Sequence, residues 1–206
     1  SSCILVVQST EVQKYQYKEV ITMITNEIKM TISYNTHDTE NNTKALTSSP
    51  LDLTKYNSWE EIREELTKQG FVLDEADNYW VVEDLQTISE VMSDFKKLHP
   101  KHVFNLLNTS GVLRDSYRFS IMEAVIEVCS FNQFVELVEE REDDWDEDIY
   151  LYEGYDWEDY GRETFENMGY EVENWILDYF DFKAYGESFQ YDGDITEYSE
   201  GLIEIY

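Results

Sequence analysis

Proline occurs only twice, glycine eight times and cysteine twice in 206 residues. So few prolines and glycines exclude a low-complexity linker or a collagen-like chain. The two cysteines, Cys3 and Cys129, form no CxxC pair and no zinc-like spacing with His37, His99 or His102. That excludes a zinc module and a disulfide scaffold and leaves buried or idle thiols of a cytosolic protein. No stretch approaches the roughly 18 apolar residues of a membrane span. The apolar run at 3–7 is short and lacks a basic flank, so it does not read as a signal peptide. The phosphate-loop, HExxH, GxSxG and GxGxxG signatures are all missing. Three scattered histidines offer no proton relay, and His99 and His102, on either side of Pro100, read as capping or surface residues. No catalytic residue, cofactor or metal site is expected.

Positive charge is the scarcest resource. There are 15 Lys and Arg against 45 Asp and Glu, a formal net charge of −30. DNA and anionic membranes are therefore poor partners, and a basic protein groove is a good one. The charge is unevenly spread. Residues 136–206 hold 25 acidic and 3 basic side chains, whereas residues 91–135 hold 4 and 5. Such acidity often signals disorder, because charge-rich chains with few apolar groups cannot offset the entropy of ordering. Here apolar residues make up 42% and aromatics 15%, including 16 Tyr, 10 Phe and 5 Trp. The chain can build a core, against self-repulsion that opposes compaction.

The hydrophobic pattern predicts an α+β fold, a modular chain of three parts. Residues 1–85 form the first. Apolar runs at 4–7 and 20–24, and the alternation of Ile28, Met30 and Ile32, read as strands. Residues 36–49, rich in Thr, Asn and Ser, read as a loop insertion. Ser58 with Glu61 makes a capping box for a helix that buries Trp59, Ile62 and Leu66 and stops near Gly70. A hairpin is expected around 74–78. Residues 86–138 read as a helical bundle. Its helices are marked by Ile88, Val91, Met92 and Phe95; by Pro100, Val103, Phe104, Leu106 and Leu107; by Phe119, Met122, Val125, Ile126 and Cys129; and by Phe131, Phe134, Val135 and Val138. Residues 139–206 form an acidic α+β module. It comprises a strand at 149–152, a helix at 156–168 ended by Gly169, a helical stretch at 172–179 and an alternating closing strand at 201–206.

Two acidic constellations stand out in the last module. Glu139, Glu140, Glu142, Asp143, Asp144, Asp146, Glu147 and Asp148 form a run broken only by Arg141 and Trp145. Asp156, Asp159, Glu163 and Glu166 are spaced three, four and three, so they share a helix face at roughly 5–6 Å intervals. That spacing is comparable to phosphates along a DNA strand. The ordinary reading is a solvated helix face. It weakens in a segment with so few compensating cations, since like charges at these spacings are destabilising. A calcium loop beginning at Asp144 fails, because Ile149 stands where glycine is needed and Tyr155 where a bidentate Glu is needed. Only loose divalent association stays open. Trp157, Tyr160, Met168, Tyr170, Tyr179, Phe180, Phe182 and Tyr185 are the expected scaffold or dimer-interface residues, with plain core as the simpler role.

Residues 155–162 (Tyr-Asp-Trp-Glu-Asp-Tyr-Gly-Arg), 167–170 (Asn-Met-Gly-Tyr) and 177–186 (Leu-Asp-Tyr-Phe-Asp-Phe-Lys-Ala-Tyr-Gly) resemble the ArdA family of antirestriction proteins. The family pattern Tyr-[Ile/Phe]-Asp-[Tyr/Phe]-x-Ala-Tyr-Gly-Arg-Asp fits 179–186. Glu187 and Ser188 then depart from it, and a proline expected near 172–174 is absent. The resemblance covers about the last 120 residues; residues 1–85 are divergent and enlarged. It implies an elongated dimer that mimics B-form DNA, with its dimer contact around 167–186. It also implies occupation of the DNA groove of Type I restriction–modification enzymes in the bacterial cytoplasm, and carriage on a mobile element. A DNA-mimicking inhibitor of another defence system, such as a CRISPR effector, is an alternative. An acidic chaperone-like binder of basic proteins is a more remote one.

Overall fold

The computed structural model describes residues 27–36, 44–71, 80–88, 90–169, 172–193 and 195–206. The strands expected at 4–7 and 20–24, the turn at 74–78, Cys3, His37 and Tyr170 lie outside these. The chain is α+β, with two small antiparallel sheets separated in sequence by helices.

In the first sheet, β1 (Lys29–Thr36) is the centre. On one side it pairs with β2 (Lys44–Thr47) and β3 (Leu51–Asp52), and on the other with β4 (Trp80–Gln86). The alternation seen in sequence is the sheet's buried face: Ile28, Met30 and Ile32 are all at most 1% exposed. Strand β2 falls inside the stretch expected to be a loop. Composition alone misreads it, because its backbone is satisfied by β1 rather than by any local pattern. A register shift beside Thr31 and Ile32 makes Trp80, Val82 and then Leu85 the inward residues of β4.

Helix α1 (Trp59–Lys68) starts as expected at Ser58, whose hydroxyl accepts from Glu61 N. The return bond differs from a standard capping box: the Glu61 carboxylate accepts from Asn57 N at 2.8 Å, one residue earlier. Residues 90–97 form 3-10 turns kinked at Met92 rather than one amphipathic helix, although Met92 and Phe95 are fully buried. Helix α2 (Pro100–Thr109) follows, with Pro100 in its first turn and His99 Nδ1 accepting from Lys101 N. Helices α3 (Ser116–Val128) and α4 (Phe131–Arg141) complete the central region. Cys129, expected inward, is exposed at the end of α3.

One continuous apolar cluster runs from Ile28 through the central helices to Trp145, Ile149 and Ile203. It crosses the 85/86 position in sequence without interruption. The C-terminal part holds β5 (Ile149–Glu153), α5 (Trp157–Asn167), the single turn α6 (Asn174–Leu177), α7 (Phe182–Ser188), β6 (Ile195–Tyr198) and β7 (Gly201–Ile205). The closing strand β7 is the central strand of a β5-β7-β6 sheet. Leu202, Ile203 and Glu204 are therefore all buried, where alternation predicted one wet face.

Candidate acidic interaction surface

The acidic run begins on the last turn of α4, where Glu139 and Glu140 are exposed. It continues through a 3-10 turn at Glu142–Asp144 and then a tight turn into β5. Trp145 anchors this turn. It is fully buried, stands edge-on to Phe134 at 5.1 Å, and its indole N–H donates to Ser110 O at 2.8 Å. In sequence it merely interrupts an acidic string; in the fold it is among the largest fully buried side chains.

The carboxylates of the run are not equivalent. Arg118 pairs with Asp143 and, at 3.2 Å, with Asp146. Asp146 is half-buried, and burial pushes its carboxyl above the ordinary value against the pull of Arg118. Asp148 pairs with Arg141 at 3.0 Å. Glu139, Glu140, Glu142, Asp144 and Glu147 are exposed and have no ion pair among the described residues.

Helix α5 carries the second constellation. Asp156 is its N-cap and accepts from Glu158 N and Asp159 N at 2.8 and 3.0 Å. The Asp159 carboxylate accepts from Asp156 N at 3.3 Å, completing a capping box. Two of the four carboxylates on the expected face thus also terminate the helix. Glu163 and Glu166 remain exposed without an ion pair among the described residues, and Glu158 pairs with Arg162 at 3.0 Å.

Three devices fix α5 in place. Trp157 and Tyr160 are buried as expected and share a small core with Ile195 and Leu202. Gly161 and Gly186 let α5 and α7 touch backbone to backbone. A Cβ on Gly161 would lie 2.0 Å from Phe182 O, and one on Gly186 would lie 2.0 Å from Trp157 O. Around this crossing Phe165, Phe180, Phe182 and Tyr185 form an aromatic cluster, with centroids 4.8–6.0 Å apart. Phe165 was not singled out from sequence, although it follows the i+4 spacing from Gly161.

The third device is invisible in sequence. Glu204 on β7 is 9% exposed, yet its carboxylate accepts three tyrosine hydroxyls: Tyr152 at 2.7 Å, Tyr160 at 3.2 Å and Tyr206 at 2.7 Å. Burial first, and then the Glu204 charge, push the Tyr152 and Tyr160 hydroxyls well above their ordinary value. They stay protonated and act as donors.

The remaining scaffold candidates divide. Phe182 is buried, and Phe180 and Tyr185 are half-buried. Tyr179 is 85% exposed and Met168 48%, and Trp175 at 61% joins them on the exposed side. Met168 Sδ accepts the Tyr185 hydroxyl at 3.3 Å. Among the described residues no group of three or more His, Cys, Asp or Glu is placed to hold a metal ion. No helix among them is long and apolar enough to cross a membrane. Compared with known proteins, the chain matches no family model and no curated relative.

Proposed function

We propose that this chain is a non-enzymatic inhibitor that mimics B-form DNA and occupies the DNA-binding groove of a Type I restriction–modification enzyme in the bacterial cytoplasm. The observation that carries this reading is a folded scaffold whose outward carboxylates go uncompensated. Glu139, Glu140, Glu142, Asp144, Glu147, Glu163 and Glu166 are exposed on structured backbone without an ion pair among the described residues. These are the side chains that stand in for phosphates. Asp143, Asp148, Asp156 and Asp159 add charge beside these but are also engaged in ion pairs or caps, and Asp146 is half-buried against Arg118. Fixed negative charge of this density speeds encounter with a basic groove and loses force as salt rises. The exposed Met168, Trp175, Ile176 and Tyr179 support homodimerisation through the same segment that the family resemblance indicates.

Competition tests the proposal: purified protein is mixed with a Type I methyltransferase bound to duplex DNA at physiological salt. The expected result is stoichiometric displacement that weakens as salt rises. Displacement of DNA from a CRISPR effector but not from the methyltransferase would redirect the target. Weak, unsaturable association with any basic protein would replace mimicry by a chaperone-like role. Neutralising one of the seven unpaired carboxylates is expected to be nearly silent, and neutralising four to weaken inhibition progressively.

A further inference from the structure

We propose that Arg118 is a positioning residue for this acidic surface: from α3 it clamps the turn at 142–148, using Asp143 and Asp146 as counter-ions and leaving Asp144 and Glu147 outward. The inference rests on the reading that the surface engages a basic groove. Arg118 belongs to the nearly neutral central region, not to the acidic one it holds.

Its guanidinium uses both terminal nitrogens. Nη1 donates to the Asp143 carboxylate and to Ser110 O at 3.3 Å, and Nη2 donates to Asp143 O at 2.8 Å and pairs with Asp146 at 3.2 Å. Its side chain is 21% exposed. Ser110 O also receives the Trp145 indole N–H, so one fully buried residue is gripped by groups on both sides of the contact. Gly111 makes room: a Cβ there would stand 2.6 Å from Arg118 Nη1, and its φ of +73° suits glycine. The planar fork suits the site, because its two separated nitrogens reach Ser110 O, Asp143 O and both carboxylates, whereas a lysine concentrates its donors on one compact nitrogen.

The turn needs such a clamp. Residues 142–148 place six carboxylates in seven positions, and their mutual repulsion favours an open chain. Only Arg118 and Arg141 pair with them among the described residues. The two cations differ in kind. Arg141 meets Asp148 across a half-open surface pair, with both side chains over 40% exposed. Arg118 reaches backbone as well as carboxylate and is mostly covered.

Arg118→Gln and Arg141→Gln test this, because each removes one positive charge. If the surface works by total charge, both should bind a basic groove at least as tightly as the unmodified chain. Positioning predicts instead that Arg118→Gln is about tenfold weaker in displacing duplex DNA from the Type I methyltransferase, although it is more negative. Arg141→Gln is expected to bind unchanged or tighter, and Arg118→Lys to recover part of the loss. Hydrogen exchange of the Trp145 indole N–H, read by NMR on the free protein, supplies an independent measure. It should accelerate in Arg118→Gln and not in Arg141→Gln. Equal binding by the two Gln variants with unchanged Trp145 exchange overturns the proposal. If Arg118→Gln does not fold, Arg118→Lys is set against Arg141→Lys at unchanged net charge, and weaker displacement with faster Trp145 exchange is expected in the first alone. If the unmodified chain displaces no DNA, the functional reading fails, and Trp145 exchange still decides whether Arg118 holds the turn.

Discussion

The central helices and the acidic C-terminal region solve the same folding problem with different materials. Between 91 and 135 charge nearly cancels, and aliphatic and phenylalanine side chains such as Val103, Phe104, Leu107, Met122 and Val125 bury almost completely in the main core. From 157 onward Ile203 still reaches the main core, but the region's own enclosed apolar cluster shrinks to Trp157, Tyr160, Ile195 and Leu202. What takes over is directional: a capping box at Asp156, a glycine–glycine helix crossing, and a buried carboxylate ringed by tyrosine hydroxyls. A region with so much unpaired negative charge and so few cations cannot rely on surface ion pairs for support. It is held instead from within, by contacts that work over short range and leave the outer face free.

The contrast can be broken most forcefully in the core. Phe104→Ala is expected to lower stability by about 4 kcal/mol in urea denaturation, because it leaves a cavity in a fully packed cluster. Gly186→Ala comes next, at about 3 kcal/mol, since its methyl must push α5 and α7 apart against Trp157 O. Its effect should appear first in near-ultraviolet circular dichroism of the C-terminal aromatics. Glu204→Gln is expected to cost about 2 kcal/mol by weakening three charge-assisted bonds.

The same cluster gives the C-terminal region an alkaline limit. The hydroxyls of Tyr152 and Tyr160 are raised above the unfolded value of 10.0. The folded state therefore binds more protons than the unfolded state once the unfolded tyrosines ionise. That stability is fully present below pH 10 and is lost as pH climbs beyond it. Melting temperature should fall in that range, and less steeply in Glu204→Gln. The smallest expected change is Arg162→Gln, which removes an exposed pair with Glu158 and a guanidinium seated 4.2 Å over the Phe182 ring, and should lower stability by about 1 kcal/mol.

Much of the fold was legible because it depends on local rules. The alternation at Ile28, Met30 and Ile32, the Ser58 cap, Pro100 at a helix start and Gly169 after α5 are all dictated by residues a few positions apart. What escaped was long range. Strand β2 exists because β1 lies beside it, and β7 becomes a central strand because β5, far upstream, covers its second edge. The capping box of Asp156 and Asp159 is local, three residues apart, and is passed over because both read only as surface charge.

Sequence by itself determined that this protein folds, that it is α+β, and that its net charge of −30 is concentrated in the last third. Composition and periodicity suffice for that, because apolar content and spacing set what can be buried. Only the tertiary structure decided which carboxylates are free. Pairing depends on where Arg118 and Arg141 arrive, and Arg118 comes from 25 residues away from Asp143. The same holds for Glu204: its neighbours in sequence say nothing about a buried charge, and three tyrosines brought together from β5, α5 and the end of β7 make it tolerable.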